Sequence, residues 1–223
     1  TINFDIIHTM KKRIFVTATN TDIGKTYTSK LLLKAFASRG LKVGAIKLIE
    51  TGVKEFAPDA NTLLETLQEL NHDFLNLSVE DIVPLTYELP AAPYIASNKK
   101  ALNLDALDKA VSKLEALCEV LIIEGAGGLY VPIDEKYMMI DMITHFKATA
   151  LLVTHCSLGC INDTLLSQKA LKDRDITYMT AFNCREEDTS FEVVSEPYFK
   201  DIEQKVLKTS EDIDTICDVL YNL

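Results

Sequence analysis

The sequence predicts a single α/β domain in which a mostly parallel sheet is flanked by helices on both faces. Short apolar strands alternate with segments of helical periodicity along most of the 223 residues, and this alternation is typical of parallel sheets built from βαβ units. A composition of 48% hydrophobic and 25% charged residues suits one sizeable core. Ligands in this architecture bind beyond the carboxyl ends of the strands.

The first three elements form one βαβ unit. Residues 13–18 (RIFVTA) are short, apolar and β-branched, so they predict a strand. Residues 25–38 have apolar side chains at helical spacing, and Gly40 is expected to end that helix. The face expected to be buried carries Leu31, Leu32, Ala35 and Phe36. Residues 42–49 (KVGAIKLI) supply the second strand.

The later elements continue the alternation. Their apolar spacing predicts helices at residues 59–70, 104–118, 163–172 and 211–220. Short apolar runs predict strands at residues 120–124 (VLIIE), 150–155 (ALLVTH) and 177–182 (TYMTAF). Prolines interrupt residues 77–100, which we expect to form an irregular excursion at the rim of the site. Right-handed crossovers should connect the parallel strands.

Composition excludes several classes of function. A formal net charge of -10 argues against a nucleic-acid binder, because such proteins bind phosphates through clustered Lys and Arg. The chain contains no apolar run of membrane-spanning length and no signal-peptide pattern, so we expect a cytoplasmic protein that does not bind membranes. The five scattered cysteines are expected to be reduced thiols. His72, His145 and His155 have no metal-ligand spacing, so zinc is not predicted.

The domain boundaries are simple. Residues 1–9 precede a Met-Lys-Lys-Arg segment that is typical of a translation start, so we treat them as an extension, either native or added. Residues 10–223 are expected to form a single domain.

A phosphate-binding loop follows the first strand. Residues 18–26 read ATNTDIGKT and end in the G-K-[ST] of a Walker A loop at the mouth of a helix. Gly24 lets the backbone approach the phosphates, Lys25 neutralises them, and Thr26 offers a hydroxyl to Mg²⁺. The usual first glycine is replaced by Thr19. The context predicts a nucleoside triphosphate site and hence a P-loop NTPase fold.

Three further charged residues are candidates for the site. Glu124 ends an apolar strand, where ligands gather, and is a natural carboxylate for magnesium. Lys47 lies in the apolar end of the second strand and either faces a phosphate or is an ordinary edge lysine. Asp59 follows Pro58 and is either a metal ligand or a helix N-cap. The glycines after Glu124 permit close approach to a ligand or simply make a turn.

The combined motifs resemble the dethiobiotin synthetase family. The sequence has T-x-T-x-I-G-K-T in the loop, K-x-x-x-T-G at residues 47–52, E-G-A-G-G at 124–128 and L-G-C-I-N at 158–162. The resemblance extends over residues 13–183. It implies ATP- and Mg²⁺-dependent ring closure of 7,8-diaminononanoate with CO2, through a carbamate and its phosphoric anhydride, to give dethiobiotin, ADP and phosphate. It also implies a homodimer, in which the substrate site is shared.

The resemblance assigns roles residue by residue. The catalytic residues it implies are Lys47, Lys25 and Thr21. The implied contacts to nucleotide are Asp22, Ile23, Gly24, Lys25, Thr26, Tyr27, Asp59, Glu124, Gly125, Ala126, Gly127, Asn183 and Pro197. The implied ligands of Mg²⁺ are Thr26, Asp59 and Glu124. The implied substrate contacts are Thr51, Gly128, Gly159, Cys160, Ile161 and Asn162, the last four through backbone amides that hold a carboxylate.

A few positions depart from the family pattern. Ala18 stands where glycine is common, Asp22 where glutamate is common, and Leu48 where proline is common. These differences leave the reaction in place but affect the detailed hydrogen bonds expected of the loop.

Other ATPases remain alternatives. A regulatory ATPase of the partitioning type shares the fold class, but it usually carries a second lysine early in the loop, where this chain has Asn20, Thr21 and Asp22. A cobyrinate amidase-type synthase would need an added glutamine-handling domain, for which 223 residues leave no room. A guanine-nucleotide switch would carry N-K-x-D where residues 183–186 read NCRE.

Overall fold

A five-stranded parallel sheet forms the centre of the protein. The computed structural model describes residues 11–223, so the extension at residues 1–9 and Met10 lie outside the described residues. The sheet has the strand order β2-β5-β1-β6-β7, and every pairing in it is parallel. Its strands are β1 (Lys12–Ala18), β2 (Val43–Lys47), β5 (Val120–Gly128), β6 (Thr149–His155) and β7 (Tyr178–Asn183). A separate parallel pair consists of β3 (Glu50–Thr51) and β4 (Thr86–Tyr87).

Helices connect the strands. The five longest are α1 (Lys25–Ser38), α2 (Pro58–Leu70), α5 (Leu104–Glu115), α7 (Cys160–Lys172) and α10 (Ile213–Asn222). The shorter ones are α3 (Val79–Ile82), α4 (Pro93–Ala96), α6 (Met139–His145), α8 (Phe191–Val194) and α9 (Glu196–Asp201), with one 3-10 turn at His72–Phe74. The predicted α/β fold with a mostly parallel sheet is therefore confirmed.

Several predicted boundaries were wrong. Strand β5 continues to Gly128, so the glycines after Glu124 belong to a strand rather than a turn. Helix α7 begins at Cys160, three residues earlier than predicted, after the left-handed Gly159. In α1 the buried face uses Leu33, whereas Leu31 is only half-buried. The excursion at residues 77–100 contains α3, β4 and α4.

The central strands are buried on both faces by helices. Ile14, Phe15 and Val16 of β1 and Ile122 and Ile123 of β5 are fully buried. A strand that is covered on both sides has a continuous apolar sequence instead of an alternating one, which explains why these runs were recognisable.

Strand register assembles the site at one edge of the sheet. Lys47, the last residue of β2, pairs with Glu124 of β5, and Val16 of β1 pairs with the same Glu124 from the other side. The loop that follows β1 therefore emerges beside both charged residues. No helix within residues 11–223 combines the length and apolar character needed to cross a lipid bilayer.

The cysteines differ in part from expectation. Cys156 and Cys184, just after β6 and β7, are joined by a disulfide with their Cα atoms 4.9 Å apart. The prediction of five reduced thiols is wrong for this pair, because parallel neighbouring strands bring the two residues that follow them side by side. Cys118, Cys160 and Cys217 are free and buried.

Candidate functional site

The phosphate loop obtains its shape from residues that the sequence pattern did not single out. The Thr19 amide donates to the Val153 carbonyl of β6 at 3.0 Å, so Thr19 continues the strand pairing and needs no glycine. The left-handed positions are Asp22, with φ 58°, and Gly24, with φ 99°. A Cβ on Gly24 would lie 2.1 Å from the side-chain nitrogen of Asn183. Gly24 is therefore required by both its backbone conformation and its neighbour.

Lys25 begins α1 and points back over the loop. Its Nζ donates to the Asn20 carbonyl at 3.2 Å, and the residue is buried. Burial, with the nearby positive charge of Lys47, lowers the pKa of Lys25 to about 8. A phosphate group beside it would supply the counter-charge that this buried ammonium lacks.

Lys47 is held between two carboxylates. Its Nζ donates to Asp59 Oδ2 at 2.6 Å and to Glu124 Oε1 at 2.7 Å. The Lys47 side chain is 4% exposed and that of Glu124 is 0% exposed. Burial lowers the pKa of Lys47, but Glu124 and Asp59 outweigh it, so the net pKa is raised and the ammonium stays charged. The reading of Lys47 as an ordinary edge lysine is wrong, because the chain buries it with partners.

Helix α1 supplies two hydroxyls to the same carboxylate. Thr26 Oγ1 donates to Glu124 Oε1 at 2.7 Å, and Ser29 Oγ donates to Glu124 Oε2 at 2.7 Å. Sequence analysis missed Ser29, although it lies three residues after Thr26 and hence on the same face of the helix. Glu124 therefore has a hydrogen-bond donor on each oxygen besides the ion pair with Lys47.

Asp59 lies in the first turn of α2 and is not its N-cap. The N-cap is Ala57, whose methyl group cannot accept a hydrogen bond. Glu50 of β3 takes that function, since its two carboxylate oxygens accept from the amides of Asp59 at 2.9 Å and Ala60 at 3.0 Å. Burial raises the pKa of Glu50 and would also raise that of Asp59, but Lys47 and Thr26 lower the pKa of Asp59 overall.

A cavity of about 720 Å³ opens over these groups. The predicted site residues that line it are Thr21, Asp22, Gly24, Lys25, Thr26, Tyr27, Lys47, Thr51, Asp59, Ala126 and Gly127. Pro58, Pro90 to Pro93 and Arg185 complete part of the wall. The excursion at residues 77–100 therefore does reach the rim of the site, as expected. Arg185 was not predicted from the sequence.

The remaining predicted residues lie elsewhere. Ile23, Glu124, Gly125 and Gly128 are not among the residues that line the cavity. A Cβ on Gly125 would be 2.9 Å from the Phe15 ring, and one on Gly128 would be 3.1 Å from the Thr19 carbonyl oxygen. These two glycines allow strands and loop to approach each other closely.

The predicted base and carboxylate contacts are also outside the cavity lining. The Asn183 side chain donates to the Ile23 carbonyl at 2.8 Å and accepts from Thr209 at 2.9 Å. Pro197 is exposed in α9. The segment from Gly159 to Asn162 opens α7, where the Cys160 side chain is fully buried and its amide donates to the Ser157 carbonyl.

The oxygen groups around Lys47 suit Mg²⁺. Asp59 and Glu124 bring two carboxylates together at the Lys47 ammonium, the Thr26 hydroxyl contacts Glu124, and hard oxygen donors are what this ion prefers. Across residues 11–223, the side chains of His, Cys, Asp and Glu do not gather in threes around a potential metal position. Mg²⁺ would therefore depend on the hydroxyl and on phosphate oxygens, as it commonly does in nucleotide sites.

Comparisons with known proteins agree on one family. A family model described as "AAA domain" matches residues 12–219. The ATP-dependent dethiobiotin synthetase BioD of Sulfurovum sp. (strain NBC37-1) is 45% identical over 186 residues, which are 83% of this chain and 89% of that protein. The protein of the same name from Wolinella succinogenes is 36% identical over 214 residues, which are 95% and 99% of the two chains.

Solved structures resemble the chain in fold. A plasmid partition protein from Borrelia burgdorferi matches with a TM-score of 0.58 at 11% identity and covers 96% of this chain and 99% of its own. A ParA family ATPase from Chlorobium tepidum matches with a TM-score of 0.51 at 14% identity, over 88% and 83% of the two chains. At such identities the similarity concerns the fold alone, which is that of P-loop NTPases.

Proposed function

The chain belongs to the ATP-dependent dethiobiotin synthetase family, and from that premise we propose how its residues close the ureido ring of dethiobiotin. The substrates are 7,8-diaminononanoate, CO2 and ATP, and the products are dethiobiotin, ADP and phosphate. The chain is an ATP-dependent ligase that acts on small molecules. The roles of individual residues, of Mg²⁺ and of a second subunit are proposals.

One observation carries the assignment of residues. Two buried ammonium groups, on Lys25 and Lys47, lie at the same cavity, which the phosphate loop also lines. A reaction that moves a phosphoryl group between oxygens mainly requires positioning and neutralisation of charge. The two lysines provide that positive charge, and because both are buried their charge interactions are strengthened.

The chemistry proceeds in three steps. One amine of the diamine attacks the carbon of CO2 and loses a proton, which gives a carbamate. A carbamate oxygen then attacks the γ-phosphorus of ATP, and ADP leaves. The second amine finally attacks the carbamate carbon and loses a proton, the bond from that carbon to the phosphorylated oxygen breaks, phosphate leaves with that oxygen, and the ring closes. Because both amines belong to one molecule, the last step gains from proximity.

The residues divide this work by position. Lys25 and the loop from Thr21 to Thr26 hold the β- and γ-phosphates, with loop amides facing the anion. Lys47 holds the carbamate oxygen near the transferring phosphoryl group, and the Thr51 hydroxyl forms a hydrogen bond with a substrate amine. Bound Mg²⁺, held by Thr26, Asp59 and Glu124, would supply charge neutralisation for the phosphates. Lys47 must then exchange part of its contact with the two carboxylates for contact with substrate.

The carboxylate end of the substrate is assigned to the start of α7. Amides from Gly159 to Asn162 stand at a helix N-terminus, which favours anions. This segment does not line the cavity of its own chain. Leu158 and Leu166, beside it, are 84% and 61% exposed, which supports an interface here with a second copy of the chain. We therefore propose a homodimer in which each α7 completes its partner's site.

The adenine base is assigned to the ends of β7 and α9. Asn183 offers an amide side chain at the edge of the loop, and Pro197 lies on the exposed surface of α9. Base binding by Asn183 would require its amide to leave the Ile23 carbonyl, to which it now donates.

The assay for ring closure follows ADP. The purified protein is mixed with MgATP and bicarbonate, with and without the diamine. We expect ADP to appear only when the diamine is present, and dethiobiotin to appear with it in equal amount. ADP release that does not depend on the diamine would instead match a regulatory ATPase, whose fold this chain shares.

The assignment of Lys47 has its own variant. We expect Lys47→Ala to lose most of the turnover while still binding ATP, because the loop with Lys25 remains. Near-normal turnover would remove Lys47 from the mechanism. Sedimentation at micromolar concentration tests the dimer, and a fully active monomer would exclude the shared site.

A further inference from the structure

The segment that follows β7 holds the back of the phosphate loop. Asn183 donates its side-chain amide to the Ile23 carbonyl at 2.8 Å, and Arg185 donates its guanidinium to the Asp22 carbonyl. Two successive carbonyls of the loop are therefore held by residues about 160 positions later in the chain. Cys184, between the two donors, is tied to Cys156 at the end of β6, so the main chain of the segment is fixed as well.

The direction of these carbonyls matters for anion binding. A loop that binds phosphates presents its N–H groups to the anion, so the carbonyls of the same peptides must face away. Asp22 has a φ of 58°, in the left-handed region that a non-glycine residue adopts only with support from its surroundings. A donor behind the Asp22 carbonyl stabilises this conformation against rotation of the peptide.

The Asp22 carbonyl is the closest partner of the Arg185 guanidinium within residues 11–223. The Arg185 side chain is 54% exposed, and in the same part of the chain its one ion pair, with Glu187, spans 3.9 Å. Arg185 and Asp22 both line the cavity. We infer that Arg185 is a positioning residue for the phosphate loop. Its guanidinium holds the Asp22 carbonyl away from the nucleotide, so that the loop amides face the phosphates.

This inference rests on the nucleotide site proposed above. Three possible actions of Arg185 predict different effects on nucleotide binding. A positioning residue affects the binding of both ATP and ADP, because both contain the β-phosphate that the loop binds. A direct contact to the γ-phosphate affects ATP alone. A general electrostatic effect of one lost positive charge would be reproduced by removing a different arginine. Arg174 is the matched control, because it precedes β7, at the end of that strand opposite to Arg185, and pairs with Asp141.

The experiment measures nucleotide affinity without diamine, by calorimetry with MgATP and MgADP. For Arg185→Ala we expect the Kd of both nucleotides to rise by about threefold to tenfold, the range that one hydrogen bond contributes. Arg185→Lys should restore part of the affinity, and Arg174→Ala should match the wild type. Urea unfolding of each variant accompanies the titrations and should be nearly unchanged, since Arg185 is exposed.

Kinetics supply the second readout. In the diamine-dependent assay, we expect Arg185→Ala to raise the KM for ATP while leaving kcat and the KM for the diamine close to the wild type. Unchanged affinity for both nucleotides, a loss confined to ATP, or an equal loss in Arg174→Ala would each overturn the inference. Because the titrations contain no diamine, they remain informative even when ring closure itself fails.

Discussion

Replacing Lys47 with methionine tests how the site is held together. Methionine keeps much of the side-chain volume but removes the ammonium that lies 2.7 Å from Glu124 Oε1 and 2.6 Å from Asp59 Oδ2. Asp59 is 38% exposed and can turn to water, whereas Glu124 is 0% exposed and cannot. The buried Glu124 carboxylate would then keep only the hydroxyls of Thr26 and Ser29 as partners.

The size of the effect follows from that buried charge. Removing one partner of a buried ion pair destabilises a protein by about 3–5 kcal/mol. For a domain of this size, each kcal/mol lowers the Tm by roughly 2–4 °C. We therefore expect Lys47→Met to lower the Tm by roughly 6–20 °C, measured by circular dichroism, and to lower the free energy of unfolding in urea accordingly.

A double variant separates charge from packing. In Lys47→Met with Glu124→Gln the buried carboxylate is replaced by an amide, which the hydroxyls of Thr26 and Ser29 can still contact. We expect this variant to recover most of the lost stability while remaining inactive. A Tm of Lys47→Met within about 2 °C of the wild type would refute the reasoning, and so would a double variant less stable than Lys47→Met.

Three other outcomes follow from the structure. Gly24→Ala should abolish ATP binding, because its Cβ would lie 2.1 Å from Asn183 Nδ2. Gly40 also has a left-handed backbone, but a Cβ there would meet no atom within 4 Å, so Gly40→Ala should bind ATP normally. Calorimetry measures ATP binding by both variants. Lys25, whose pKa is lowered to about 8, should lose its charge as the pH rises, so the Kd for ATP should increase above pH 8. ATP binding above that pH should take up a proton, which calorimetry detects as a heat of binding that depends on the buffer. A pH-independent Kd would contradict this. Without reductant, the denatured protein should show three titratable thiols, and five thiols would exclude the disulfide. In the native state at pH 8, Cys118 and Cys217 should resist alkylation, because burial raises their pKa values to about 12.

The fold was predictable because its strongest signals are local. Strands buried on both faces read as unbroken apolar runs, and helices such as α1 and α5 are long enough to show their period. The short helices α8 and α9 were missed because four and six residues complete too few turns to show periodicity. Helix α7 starts at Cys160, after its left-handed N-cap Gly159, three residues before the start predicted from apolar spacing.

The site was predictable only where a motif carries it. Gly24, Lys25 and Thr26 form such a motif, and Lys47 and Glu124 stand at strand ends that the fold brings together. Ser29 and Arg185 act through contacts with residues distant in sequence, and Glu50 contacts the start of α2 at a spacing that no motif specifies. The shape of the loop likewise depends on Val153 and Asn183, which only the tertiary structure places behind it.

The central claim is that this chain converts a diamine, CO2 and ATP into a cyclic urea. Its most direct test is to supply ¹³C-labelled bicarbonate with the diamine and MgATP and to measure dethiobiotin by mass spectrometry beside ADP. The account predicts a product that carries the label in its ring, formed in equal amount with ADP, and almost none from Lys47→Ala. ADP without labelled product, or labelled product formed equally by Lys47→Ala, would contradict it.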